Sequence, residues 1–222
     1  MSILGRLKKR VIKKGKVKVI LFDMDGVVIN SSEPWRIAFN DTLRKFGSKP
    51  VTKKVYFSRY GDIGTVKEVI KKFRIDFKNP RFKDDAVKYC NQRFDELSKG
   101  VKIFPESRKA LMILKKKFKI ALVTNTERQT VFKILKRFDI ERYFDVVVSI
   151  SDVSNGKPDP EMVIKACKVL RAKPKHAVLV GDTEADVKTG EAAGCKVIGV
   201  GINGDDMVEN IGELPKKMGL KA

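Results

Sequence analysis

Asp23 and Asp25 stand two residues apart in the segment DMDG. On extended backbone that spacing points both side chains the same way. Two carboxylates held close together resist ionising together, which separates their duties. One stays an anion and can attack an electrophile. The other holds a proton, can deliver it to a leaving oxygen, and can later take one from water. Further along the chain come Thr124, Asn125, Lys157, Asp182 and Asp186. Carboxylates, a hydroxyl and a lysine in one site suit phosphoryl transfer. An anionic oxygen approaching a phosphate dianion meets repulsion of roughly 8 kcal/mol at about 4 Å and an effective dielectric of about 20. Uncompensated, that is about six powers of ten in rate, so positive charge is required. Asp182 with Asp23 can hold a divalent cation, and an all-oxygen set favours Mg2+. Lys157, in the tight GKPDP turn, supplies a second charge. Thr124 and the backbone N–H groups around Asp25 and Gly26 can hydrogen-bond phosphoryl oxygens; Asn125 is counted with this substrate-binding set.

These residues act together only if the chain brings them to one place. The run VKVILF (17–22) leads into DMDG and then VVI, and its unbroken apolar character predicts a strand buried on both faces. Similar runs follow at 119–125, 144–150, 176–182 and 195–201. Helical patterns separate them at 107–118, 129–138 and 159–170, the last with Asp159 expected as N-cap and Pro160 as first helical residue. Alternating strands and helices predict an α/β fold with a doubly wound, Rossmann-like parallel sheet. In such sheets ligands bind beyond the carboxyl ends of the strands, where each candidate residue falls.

Residues 31–101 break the rhythm, with helical stretches at 34–46, 65–73 and 83–97 and no convincing strand. The expected organisation is a basic tail (1–15), an α/β catalytic core (16–30 and 102–222) and an inserted all-α cap (31–101), with hinges at Ser31–Ser32 and Gly100. Trp35 on the first cap helix admits two readings, core or substrate-facing. The loop SRYGDIG (58–64), with Arg59 and Tyr60, either touches substrate or only joins helices. His176 precedes the fourth strand and belongs at the wrong rim for catalysis.

Taken in order, DMDGVV, Thr124–Asn125, Gly156–Lys157–Pro158 and GDTEAD resemble the four motifs of the haloacid dehalogenase superfamily. The helical insertion after the first motif resembles the cap of its phosphoglycolate phosphatase and β-phosphoglucomutase branch. The resemblance implies that Asp23 is nucleophile and metal ligand, and that Asp25 is the acid/base residue and also a ligand through its carbonyl. It further implies that Thr124 and Lys157 bind phosphate and that Asp182 binds Mg2+. Asp186 is left open between direct contact, contact through water, and a plain first-turn carboxylate. Dehalogenases of this fold lack the second aspartate, so Asp25 argues against that reaction. The mutase branch uses a cap histidine where this chain has Trp35. Hydrolysis of a small phosphorylated metabolite is the expected reaction, with phosphomutase as the alternative.

The net charge of +21 is unevenly spread: residues 1–20 carry +8 and residues 31–101 another +8. Such a field attracts anions, and a nucleic-acid-binding or regulatory module on the same fold is the reading from another class. The interleaved aromatics of a single-strand groove are missing, which disfavours it. Three cysteines, odd in number and in no metal-binding spacing, fit a reducing cytoplasm. No apolar run approaches the ~20 residues of a bilayer span, and no secretory signal is expected.

Overall fold

A computed structural model describes residues 16–60, 70 and 82–220, with the side chains of 58–60 and 82 outside the description. The basic tail, the loop SRYGDIG beyond Tyr60 and, apart from Ile70, the expected helix 65–73 therefore lie outside the described residues.

Six parallel strands form the main sheet. In chain order they are β1 (Val19–Phe22), β4 (Lys119–Thr124), β5 (Val146–Ser149), β6 (Ala177–Gly181), β7 (Lys196–Val200) and β8 (Asp206–Val208). Their order across the sheet is β5-β4-β1-β6-β7-β8. From β1 the chain winds first to one side and then, through β6, to the other, so the sheet is doubly wound and its switch point lies at β1. Phe22 lies level with Leu122 and Val180, which brings the carboxyl ends of these three strands to one rim.

The unbroken VILF has a simple cause. Val19 and Leu21 point into one hydrophobic core, with Ala121, Val123 and Leu179. Ile20 and Phe22 point into the other, with Ile120, Leu122, Val178 and Val180. Alternate residues serve opposite faces, so a strand covered on both sides needs apolar residues throughout. The covering helices include α4 (Ser107–Lys115), α5 (Arg128–Arg137), α6 (Glu161–Val169) and α7 (Glu184–Ala193). α6 packs on β5, β4 and β1, while α7 packs on β6 and β7.

Three details differ from expectation. The segment after DMDG does not continue the sheet; Ile29–Asn30 (β2) pairs antiparallel with Lys102–Ile103 (β3) in a separate ribbon. Pro160 occupies the cap of α6 and Glu161 is its first residue, while Asp159 Oδ1 accepts from the Glu161 N–H at 2.9 Å. β8 was not expected, because three residues after a Gly-Asp turn carry no alternation to read.

Between the two strands of the ribbon the described residues include the helices α1 (Ser32–Lys45), α2 (Lys53–Tyr60) and α3 (Phe82–Leu97). α1 and α3 pack together through Ala38, Phe39, Leu43, Cys90 and Phe94, all buried. Asp95 on α3 reaches across to α5, accepting from Thr130 Oγ1 at 2.8 Å and Lys133 Nζ at 2.5 Å. The cysteines at 90, 167 and 195 are buried, and none is in a disulfide among the described residues. Among the described residues no helix is long and apolar enough to cross a membrane.

Candidate active site

Asp23 is the first residue past β1, and its N–H donates to Val180 O at 2.9 Å, which ties the turn to β6. Its side chain is buried, as are those of Lys157 and Asp186. Lys157 Nζ lies 2.6 Å from Asp23 Oδ1 and 2.7 Å from Asp186 Oδ1. Asp186 is also half of a capping box at the start of α7, its Oδ2 accepting from Thr183 Oγ1 at 2.6 Å. First-turn carboxylate and partner of Lys157 are therefore compatible duties, and both Asp186 oxygens are engaged.

Asp182 follows the last residue of β6, and its Oδ1 is shut off from solvent with no hydrogen-bond partner among the described residues. Gly26 makes room for this carboxylate: a Cβ there would stand 1.9 Å from Asp182 Oδ2, and φ is +81°. The Gly26 N–H donates to Ile29 O at 2.8 Å. That corrects its expected duty, because the N–H is spent within the turn; the glycine shapes the site by having no side chain. Gly181 does the same for Asp186, whose Cγ would lie 2.3 Å from a Cβ at that position.

Asp25 is held from two sides. Ser31 Oγ and Trp35 Nε1, the latter at 3.2 Å, donate to Oδ1. Thr126 Oγ1 at 2.7 Å and Thr124 Oγ1 at 3.5 Å address Oδ2. Thr126 was missed in the sequence, although a second hydroxyl two residues after Thr124 was there to notice. The Asn125 amide engages the backbone of Lys157: Nδ2 donates to Lys157 O at 3.0 Å and Oδ1 accepts from Lys157 N–H at 2.9 Å. This two-point bracket joins the end of β4 to the Lys157 turn. His176 lies at the opposite ends of the strands, where its carbonyl accepts from Lys18 N–H at 2.8 Å.

The electrostatics are unbalanced. Burial first, and then Asp186 and Asp25, push the Asp23 carboxyl up to about 8 against the opposing pull of Lys157. Burial, with Asp23 and Asp186, also raises Asp182 well above the carboxylate range. Burial works against the Lys157 charge, but Asp186 and Asp23 outweigh it and hold the ammonium above its ordinary range. One buried cation serves several buried carboxylates. Asp23, Asp182 and Asp186 offer oxygens within 4.8 Å of one another, a spacing that suits one small divalent ion. The unpartnered Asp182 oxygen belongs to this group of acids, beside Asp23.

This imbalance predicts an inverted pH profile of stability. The folded state keeps a proton on Asp23 that the unfolded chain has released, so stability falls as pH rises between the ordinary value of 3.8 and about 8. Glu33, Asp95, Asp145 and Asp152 are shifted downward, and their contribution is complete above about pH 5. With EDTA present, the melting temperature is therefore expected to drop by at least about 5 °C from pH 5 to pH 8. Asp23→Asn, or added Mg2+, is expected to flatten that slope. A melting temperature that rises over this interval in EDTA would refute the account.

Comparison with known proteins extends the picture. The family description "Haloacid dehalogenase-like hydrolase" matches residues 20–200. The chain is 32% identical over 201 residues to pyrophosphatase PpaX of Halalkalibacterium halodurans, covering 87% of this chain and 88% of the relative. It is 32% identical over 182 residues to the phosphoglycolate phosphatase of Aquifex aeolicus, covering 81% and 83%. Among solved structures, β-phosphoglucomutase of Clostridium difficile superposes with a TM-score of 0.76 over 91% of this chain and 97% of that one, at 19% identity, a likeness of fold.

Proposed function

The chain belongs to the haloacid dehalogenase-like hydrolases, and from that membership we propose that it is a Mg2+-dependent phosphatase acting on a small phosphate ester through a phospho-aspartate on Asp23. The observation that carries this reading is the partnerless, buried Asp182 oxygen beside Asp23, with Lys157 closing the other side. The donors fit the ion: all are oxygens, negative charge is in excess, and Asp182 Oδ1 has no hydrogen-bond partner among the described residues. Asp23 and Asp182 would hold it, with the Asp25 carbonyl, while Asp186, already bonded at both oxygens, stands behind them. When bound, the ion neutralises the approach of two anions and orients the phosphoryl group.

The protein's own groups then divide the work. A carboxylate oxygen of Asp23 attacks phosphorus, and the bond from phosphorus to the ester oxygen breaks. Asp25 delivers a proton to the departing oxygen. A water then attacks the phosphorus of the phospho-aspartate, Asp25 takes its proton, and inorganic phosphate leaves with the Asp23 carboxylate restored. Lys157 holds Asp23 in place and contributes the fixed positive charge. Thr124, at a long 3.5 Å from Asp25, is free to turn its hydroxyl to a phosphoryl oxygen. The helical insertion, taken as residues 31–101, is the cap that selects the substrate, and the relatives' names point to small, strongly anionic phosphates. Trp35 weighs against the mutase alternative: its indole N–H donates and cannot take a proton from a sugar hydroxyl.

The test is release of phosphate from p-nitrophenyl phosphate, phosphoglycolate and pyrophosphate, with Mg2+ and with EDTA. Turnover with Mg2+ and at least a hundredfold loss in EDTA are expected. Full activity in EDTA would end the proposal.

A further inference from the structure

Asp25 can serve as acid and base only if its carboxyl group is aimed, and the structure shows what aims it. Its two oxygens are gripped by different parts of the molecule. Oδ2 is held from the core by Thr126 at 2.7 Å. Oδ1 is held by the inserted helices: Ser31 at the head of α1, and the Trp35 indole N–H at 3.2 Å. The indole is itself immobilised. It stacks on Phe94 of α3 with ring centroids 3.7 Å apart and planes within 5°. Phe94 is only 1% exposed. Its chain neighbour Asp95 is pinned to core helix α5 through Thr130 and Lys133. The contacts thus run in series from the core, through α3 and a flat ring stack, to one carboxylate oxygen.

We propose that Trp35 is the positioning residue for Asp25, holding Oδ1 from the cap so that Oδ2, on the Thr124 side, faces the departing oxygen. The proposal rests on the phosphatase reading given above and assigns Trp35 a duty that neither the motifs nor a purely packing role would require. A tryptophan suits it: the ring is large and rigid, with few rotamers to lose, and carries one directional donor. That donor holds Oδ1 on the cap side and leaves Oδ2 on the side of Thr124 and Thr126.

The consequence is a dependence on the leaving group. An alkoxide cannot depart without a proton, whereas p-nitrophenolate leaves as the anion. Misaiming Asp25 therefore slows formation of the phospho-aspartate from alkyl phosphates and spares p-nitrophenyl phosphate. The experiment compares kcat/KM for p-nitrophenyl phosphate with that for the better of phosphoglycolate and glycerol phosphate, in the full-length chain with Mg2+. Trp35→Phe, which keeps the stack and loses the N–H, is expected to lose tenfold or more on the alkyl phosphate and less than threefold on the aryl one. Trp35→His, which restores a ring N–H, is expected to recover part of the loss. Should Trp35→Phe not fold, Phe94→Leu removes the stack instead and is expected to show the same selective loss. Equal losses on both substrates, no loss on either, or a parent enzyme that cleaves no alkyl phosphate would overturn the inference. A parent enzyme inactive on every substrate would defeat the phosphatase reading itself, and the inference with it.

Discussion

Asp23→Asn is expected to lower phosphate release by at least about four powers of ten while leaving the protein folded and, without metal, more stable than its parent. The amide has the shape of the carboxylate but no anionic oxygen to attack phosphorus, so the covalent route closes rather than slows. Groups that work as a unit fail together, and Lys157, Asp25 and the cation then have nothing to assist. The stability half of the prediction separates chemistry from damage. Asp23 is buried among like charges, and its carboxyl is pushed up to about 8. Replacing it by a neutral amide removes the cost of holding that carboxyl protonated at neutral pH and leaves an oxygen for Lys157 to hold. Phosphate release and thermal melting in EDTA, measured on one preparation, check both halves. More than about a hundredth of parental activity would move the phosphoryl acceptor to another residue.

The layout of the core was readable because buried parallel strands leave an unambiguous trace. VILF and its four counterparts had to be apolar on both faces, and the acids, threonine and lysine that follow them had to meet at one rim. The grip on Asp25 was not readable. It depends on where α1 docks, since Ser31 and Trp35 lie six and ten residues beyond Asp25 and reach it only once the ribbon of β2 and β3 has turned the chain. Trp35 looked like either a core residue or a substrate contact. In the structure it stacks as a core residue would and also spends its N–H on the site. The bracket made by Asn125 was hidden for a related reason, because a polar side chain beside Thr124 reads as a ligand contact. Only the distances show its amide bracketing the backbone of Lys157. Gly26 carried a real signal, but the reason for it was the carboxylate of Asp182, 156 residues away, and no local pattern reports such an approach.

Lys157→Met tests the charge balance directly. The methionine fills similar space and removes the buried cation between Asp23 and Asp186. Breaking a buried pair by deleting one partner costs about 3–5 kcal/mol, because the remaining charges lose their compensation. For a chain of this length 3 kcal/mol corresponds to a melting temperature lower by about 6–12 °C. The loss is expected to be larger at pH 8 than at pH 5, since at the lower pH the orphaned carboxyls can take up protons instead. Turnover is expected to fall by about a thousandfold. A single fixed charge at about 4 Å and a dielectric of about 20 contributes about 4 kcal/mol against the approach of the anions. Mg2+ is expected to return much of the melting temperature and little of the rate. A dication between Asp23 and Asp182 can relieve the repulsion, but it cannot stand on the far side of Asp23, where the lysine holds that carboxylate and completes the field around the phosphoryl group. If Mg2+ left the melting temperature of Lys157→Met unchanged, these carboxylates would not be the seat of the ion, and the reading of Asp182 as its ligand would fall.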